Sequence, residues 1–208
     1  MKVSLLKNDL MKKKWFTLSN IITGVFIIFI LAMLLNPGLK ATVIQGMMKI
    51  GLFQPDIPKA PEIKKTTSSL PPDNKEILLR NVDGTILDLS AQKNKVIFIN
   101  FWATWCPPCI AEMPSINKLY QQFKDNENVL FLMVDVDNNF DKSNTFMKKK
   151  GFALPVYTQV SDIPAKYFSG TLPTTVILDK SGNIAFHHDG VADYSNSKVA
   201  NFIKRLSE

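Results

Sequence analysis

The chain holds two cysteines, Cys106 and Cys109, and they stand where an apolar run hands over to a helical pattern. Val96-Ile97-Phe98-Ile99-Asn100-Phe101 is apolar apart from Asn100, as expected for a strand covered on both faces. After Cys109, the residues Ile110, Met113, Ile116, Leu119, Tyr120 and Phe123 recur at three- and four-residue spacing, the signature of an amphipathic helix. A central strand running into a helix N-terminus, with a cysteine pair at the junction, is a place for thiol chemistry.

The reason lies in the helix end. Its first turn has unpaired N–H groups and a partial positive charge, and both favour a thiolate over a thiol. Cys106 falls near the N-cap and Cys109 one turn in, close enough to close a small disulfide ring. Cys106 precedes the helix, is expected to be the more exposed, and is therefore assigned as nucleophile; Cys109 resolves the mixed disulfide. Pro107 and Pro108 suit a first turn, where a missing N–H costs least. They also withdraw two donors from the Cys106 sulfur, which tilts the pair towards a reductant. Zinc is the competing reading, but it wants about four ligands, and besides this pair the chain offers His187 and His188. A purely structural disulfide over so short a loop would restrain the unfolded chain little.

The net charge of +7 suggests a nucleic-acid binder until it is divided along the chain. Residues 1–14 carry five lysines against one aspartate, residues 15–75 six lysines against three acids, and residues 76–208 fourteen basic against fourteen acidic side chains. The excess lies outside the cysteine-bearing region, so nucleic acid is not indicated. From Trp15 to Leu39 there is no charge, and Ile21 to Leu35 is almost wholly aliphatic or aromatic. A span of about 20 apolar residues crosses a bilayer as a helix. Lys12-Lys13-Lys14 just before it should remain in the cytoplasm. The sequence thus divides into a basic cytoplasmic tail (1–15), a transmembrane anchor (16–36), a juxtamembrane segment and Pro-rich linker (37–75), and a catalytic domain (76–208) outside the cytoplasm, periplasmic or extracytoplasmic. A cleavable signal would need a small-x-small site, and Asn36-Pro37-Gly38 looks instead like a helix stop. Ala41 to Phe53 has two open readings. It lies along the membrane surface through Val43, Ile44, Met47, Met48, Gly51 and Leu52, with Gln45 and Lys49 opposite, or it is an apolar linker. Gln54 to Asp73 is proline-rich and reads as extended.

Along the domain, Asp83-Gly84 between two apolar runs signals a hairpin. The central strand and cysteine helix follow. Val129 to Val134 reads as a second buried strand, Phe140 to Lys150 as a helix stopped by Gly151, and Pro155 to Tyr157 as a short strand. Asp135, Asp137 and Asn139 lack the glycine and distal glutamate of a calcium loop and read as a strand end plus helix cap. Thr174 to Leu178 and Asn183 to His187 make a second hairpin, and a closing helix covers about Asn196 to Leu206. The order is that of an α/β fold with a mixed sheet.

These features resemble the thioredoxin superfamily, and within it the membrane-anchored TlpA/ResA/DsbE-like branch. The resemblance spans about Glu76 to Leu206 and rests on Asn100 to Cys109, on Glu112-Met113-Pro114, and on Leu172-Pro173-Thr174-Thr175 before a strand. It implies a thioredoxin-like fold, a central mixed sheet flanked by helices, with an added N-terminal β-hairpin after one transmembrane helix. It implies that Pro173 is the family's cis-proline, that the backbone of Leu172 pairs with the substrate chain, and that Trp105 borders the same surface. Pro114 matches the proline that kinks the active-site helix. Asn100 stands where thioredoxin has a buried aspartate and, with Pro107 and Pro108, tunes the pair. Glu112 matches a glutamate of this branch and has two readings: a relay for the Cys109 proton, favoured because Asn100 cannot accept one, or a first-turn acid that satisfies the helix dipole. Ser169-Gly170-Thr171 departs from the β-branched lead-in usual before the cis-proline and bears on substrate preference.

The leading expectation is an anchored thiol–disulfide oxidoreductase with no cofactor beyond its own redox-active disulfide and no metal. Its partners would be disulfide-bearing proteins, with apocytochrome c the family's suggestion, and a transmembrane thiol electron donor. The alternative from a binding class is copper delivery through Cys106, Cys109 and His187 or His188. A peroxidase would need Pro-x-x-x-Thr-x-x-Cys, which is missing.

Overall fold

The computed structural model describes residues 2–58 and 76–208, with side chains from Ser19 onward. The side chains of Lys12-Lys13-Lys14 and most of the Pro-rich stretch lie outside the described residues. Two compact units are present, Met1–Lys40 and Ala41–Glu208. The first is dominated by α1 (Lys2–Leu35), which stops where Asn36 caps the next helix, α2 (Pro37–Lys49). The Asn36 Oδ1 accepts from the N–H of Gly38 at 2.9 Å, and Pro37 takes the first helical position, where it lacks no needed donor. Ile21, Ile22, Val25, Phe26, Ile28 and Leu34 of α1 are all more than half exposed. The sequence suggests one span over 16–36. Among the described residues no single helix is long and apolar enough to cross a membrane; Ser19–Leu35 and Pro37–Lys49 qualify by length and composition only as a broken pair. The stop at Asn36-Pro37 is what divides them.

The second unit is built on a seven-stranded mixed sheet in the order β2-β1-β5-β4-β3-β6-β7. The strands are β1 (Leu78–Asn81), β2 (Ile86–Asp88), β3 (Val96–Trp102), β4 (Val129–Asp135), β5 (Val156–Gln159), β6 (Thr174–Leu178) and β7 (Ile184–Asp189). β3, β4 and β5 run parallel, and the β1–β2 hairpin joins antiparallel at the β5 edge. The other helices are α3 (Pro107–Phe123), α4 (Phe140–Lys150) and α5 (Ser197–Ser207). This is the thioredoxin-like α/β fold with its added hairpin.

β3 is buried along its whole length because each face meets a core. Val96, Phe98 and Trp102 join Met113, Phe131, Tyr194 and Phe202 in one core, whereas Ile97, Ile99 and Phe101 join Leu132, Val134 and Val176 in the other. Alternation along a strand therefore sends Asn100 to the side of Phe98 and Trp102, under α3. The apolar run is interrupted there because the residue has a polar partner on that helix. α4 ends as its sequence indicates: Gly151 adopts φ 69° and its N–H reaches the carbonyls of Met147 and Lys148, with three lysines in the last turn.

The largest departure from the sequence reading is the segment after Ala41. The sequence opens the domain at residue 76, yet the compact unit begins at Ala41. Ala41 and Met48 are buried against Ile110 and Ala111 of α3, with Ile44 and Phe53 packed beside them. Gln45 Nε2 donates to the Ile110 carbonyl at 3.5 Å, the Asp193 N–H donates to the Phe53 carbonyl at 2.8 Å, and Ile57 packs on the main core. The buried stripe is Ala41, Ile44, Gln45 and Met48, while Val43, Met47 and Leu52 stay exposed. Gln45 belongs to the packed face because its amide finds a backbone acceptor there, something a hydropathy pattern does not register.

Candidate active site

Cys106 ends the turn that leaves β3 and acts as the N-cap of α3. With prolines at N1 and N2, the N–H of Cys109 is the first available to it, and the Cys106 sulfur accepts from it at 3.2 Å. Cys106 and Cys109 are joined as a disulfide, with Cα atoms 5.3 Å apart. The exposure difference expected between them is small in this oxidised form: Cys106 is 3% exposed and Cys109 0%. Trp105 takes the exposed position instead, at 58%. Its indole Nε1 donates to Asp137 Oδ2 at 2.7 Å, which ties the ring to the loop after β4. The sequence read Asp137 only as part of a strand end and helix cap, not as a partner of Trp105. Nearby, Asp135 accepts from the N–H groups of Asp137 and Asn139 and from Ser143 Oγ, so its role is to cap α4 and shape that loop.

The β3–β6 register pairs Phe101 with Thr174, which sets Pro173 at the level of Trp102, at the cysteine end of the sheet. The Leu172–Pro173 peptide is cis. Gly190 N–H donates to the Pro173 carbonyl at 2.8 Å, and Thr174 Oγ1 donates to the Thr171 carbonyl and contacts Asp189 Oδ1 at 2.6 Å. These ties fix the loop from behind. Leu172 itself is half-buried between the two cores, and among the described residues its backbone enters no hydrogen bond. An edge of free backbone thus stands at the cysteine end of the sheet, a geometry that can pair with an extended chain.

Glu112 sits one turn beyond Cys109, on the same side of α3, and is completely buried. Asn100 Nδ2 donates to its Oε1 at 2.7 Å and to Thr175 Oγ1 at 3.0 Å; the Ala192 N–H donates to Oε2 at 3.3 Å. No cation reaches it through these contacts. Burial pushes the Glu112 carboxyl up to about 8, against the smaller downward pull of the Asn100 and Ala192 hydrogen bonds. Tyr194, also fully buried, is held well above its ordinary range by burial first and by the charge of Glu112 second. Among the described residues, neither its hydroxyl nor Asn100 Oδ1 meets a partner at full hydrogen-bond geometry, though Thr175 stands close enough to pull the Tyr194 hydroxyl down slightly. Asn100, Glu112, Thr175 and Tyr194 therefore form a polar pocket inside an otherwise apolar core, beneath the active-site helix. Thr175 and Tyr194 are visible in the sequence as residues, but nothing local marks them as neighbours of Glu112.

The histidines stand elsewhere in role. His187 lies 3.6 Å from Asp189 and His188 stacks beside Phe186, both on the edge strand β7. Among the described residues, no three His, Cys, Asp or Glu side chains are grouped to hold a metal ion.

Residues 58–203 match the Redoxin family model. The chain belongs to the Redoxin family. Among its relatives is a thiol-disulfide oxidoreductase ResA of Bacillus thuringiensis (strain Al Hakam), 28% identical over 131 residues, covering 62% of this chain and 74% of the relative. Another, the ResA of Geobacillus kaustophilus, is 33% identical over 122 residues, covering 58% and 70%. Of solved structures, a putative DsbE from Chlorobium tepidum shares the fold with a TM-score of 0.55 at 21% identity, covering 64% of this chain and 94% of that one. A putative thiol-disulfide oxidoreductase from Bacteroides vulgatus gives 0.52 at 25% identity, covering 64% and 92%. Within the Redoxin family the chain is thus of the TlpA/ResA/DsbE-like kind. Its site is a thiol–disulfide exchange centre: a closed Cys-x-x-Cys pair at a helix N-terminus, a free backbone edge at the same end of the sheet, and a buried acid one turn behind.

Proposed function

We propose that this oxidoreductase is anchored outside the cytoplasm by its N-terminal apolar helix and works as a reductant of partner disulfides, apocytochrome c being the substrate that fits its kind. The observation that carries the direction is the N-cap of α3. Cys106 sulfur accepts one backbone N–H, from Cys109, because both intervening residues are prolines. A thiolate with few donors is weakly stabilised, which leaves the dithiol ready to give up its electrons. The exposed apolar side chains of α1 and the lysines that precede them support the anchor.

In the reducing direction the Cys106 thiolate attacks one sulfur of the partner disulfide, forming a mixed disulfide and releasing a partner thiolate. Cys109 then gives up its proton and attacks the Cys106 sulfur. The partner leaves with two electrons and two protons, and the Cys106–Cys109 disulfide is closed. Glu112 is the acceptor for the Cys109 proton: an acid poised near 8 lies close to an ordinary thiol, at about 8.5, so transfer between them is nearly balanced. A transmembrane dithiol carrier restores the reduced pair by the reverse exchange, since thiols outside the cytoplasm are otherwise oxidised. The cysteine pair carries both electrons without an added cofactor.

The test is the reduction potential of the Cys106–Cys109 pair, set against glutathione or dithiothreitol buffers. A value near about −270 mV is expected, and one near about −120 mV would assign the opposite direction.

A further inference from the structure

Pro114 has no N–H, so the carbonyl four residues earlier in α3, that of Ile110, loses its intrahelical partner. Ile110 follows Cys109 directly and is buried, 7% exposed, where an unpaired carbonyl is unfavourable. The donor that meets it comes from outside the sheet domain's own elements: Gln45 Nε2 on α2, at 3.5 Å. Ala41 and Met48 seal this contact by packing on Ile110 and Ala111. Further along the same segment, the Phe53 carbonyl accepts the N–H of Asp193. The residue before Asp193 is Ala192, whose N–H holds Glu112 Oε2. The segment therefore grips both backbones that enclose Glu112, the first turns of α3 on one side and the Ala192–Asp193 loop on the other.

We propose that the segment Ala41–Phe53 is a positioning element of the redox site, with Gln45 the residue that fills the gap left by Pro114 and so keeps the Glu112 enclosure closed to water. The proposal rests on the role given to Glu112 above. The titratable group facing Glu112 is Tyr194, on the loop that also carries Ala192, and Cys109 stands one turn before it on the same helix. Lys49, Lys118 and Asp193 line the seam between α2 and α3. None of these changes in the variants chosen as a test.

Gln45→Leu keeps the bulk of the side chain and deletes the donor; Met48→Ala loosens the same contact from its apolar side. Each is made in the full chain in mild detergent, and the rate of insulin disulfide reduction is followed from pH 5 to 9, with Glu112→Gln alongside. Water admitted to the enclosure relieves the burial of the carboxyl. The Glu112-dependent inflection should then move to lower pH in both variants, by about half a pH unit, roughly a threefold change in the protonation ratio. If Glu112→Gln removes the inflection while Gln45→Leu and Met48→Ala leave it in place, the positioning role is refuted and the relay stands. If Glu112→Gln itself leaves the profile unchanged, the relay has failed and the positioning role falls with it.

Discussion

Glu112→Gln tests the central electrostatic feature of the site through stability as well as rate. The carboxyl is raised from 4.5 to about 8 by burial. Between those two values the folded chain keeps a proton that the unfolded chain has released. Folding therefore binds protons in this window, and stability falls as pH rises. The contribution is fully present below pH 4.5 and lost as pH climbs through about 8. A gap of this size amounts to about 5 kcal/mol across the whole window, of which about 3 kcal/mol falls between pH 5 and pH 8. Solvent screening reduces it little, because Glu112 is completely buried. Glutamine keeps the shape and removes the titration. The introduced amide meets two donors, from Asn100 and Ala192. Rotation of the Asn100 side chain would present its unpartnered Oδ1 to the new amide group, so the pocket can accept the change. Guanidinium chloride unfolding of the oxidised Ala41–Glu208 unit at pH 5 and pH 8 measures the effect. The stability difference, variant minus native, should rise by about 3 kcal/mol between the two pH values. An equal difference at both would mean that the folded carboxyl ionises in its ordinary range, where it is too weak a base to take a proton from a thiol near about 8.5.

Two further substitutions probe the rim and the frame of the site. Asp137→Ala frees the Trp105 indole from the hydrogen bond that ties it to the loop after β4; with about 1 kcal/mol lost from a positioned contact, KM for a protein disulfide should rise about fivefold while kcat holds, and an unchanged KM would remove Trp105 from the docking surface. Gly151→Ala places a side chain at φ 69°, where the C-cap of α4 needs a left-handed residue; unfolding should shift by about 1 kcal/mol with exchange rates unaltered.

Much of this site is local, and the local part is legible in the sequence. An apolar run, a cysteine pair and a three-four periodicity describe β3, the N-cap and α3 without reference to anything distant, and Asp83-Gly84 and Gly151 mark their turns by the conformation glycine permits. What stays hidden is long-range and carried by single polar atoms. The Trp105–Asp137 bond joins residues 32 apart, the Asn100–Thr175 bond residues 75 apart, and the Glu112–Ala192 bond residues 80 apart. No pattern of hydropathy encodes such pairs. The amphipathic stretch after Ala41 shows the same limit from the apolar side: periodicity announces that a helix face is covered and is silent about what covers it. A membrane surface and a neighbouring helix present the same demand, and the structure answers with Ile110 and Ala111. The order of exposure expected for the two cysteines holds, Cys106 above Cys109, though by a small margin in the oxidised form.

Asn100 and Glu112 make sense together. The strand position under α3 is where the wider superfamily holds a buried aspartate, and here it carries an amide that donates to a carboxyl on the helix, 2.7 Å away. The acid has in effect been carried across the same pocket, from the sheet to the element that bears the cysteines. A carboxylate on β3 would be fixed to a strand that is buried along its whole length. On α3 it shares a helix with Cys109 and takes its second hydrogen bond from the Ala192 loop, so its surroundings depend on contacts that reach the surface through Asp193, Phe53 and Gln45. On the proposed reading, an acid on α3 would couple the protonation of the redox pair to the segment Ala41–Phe53, and an acid on the strand would not.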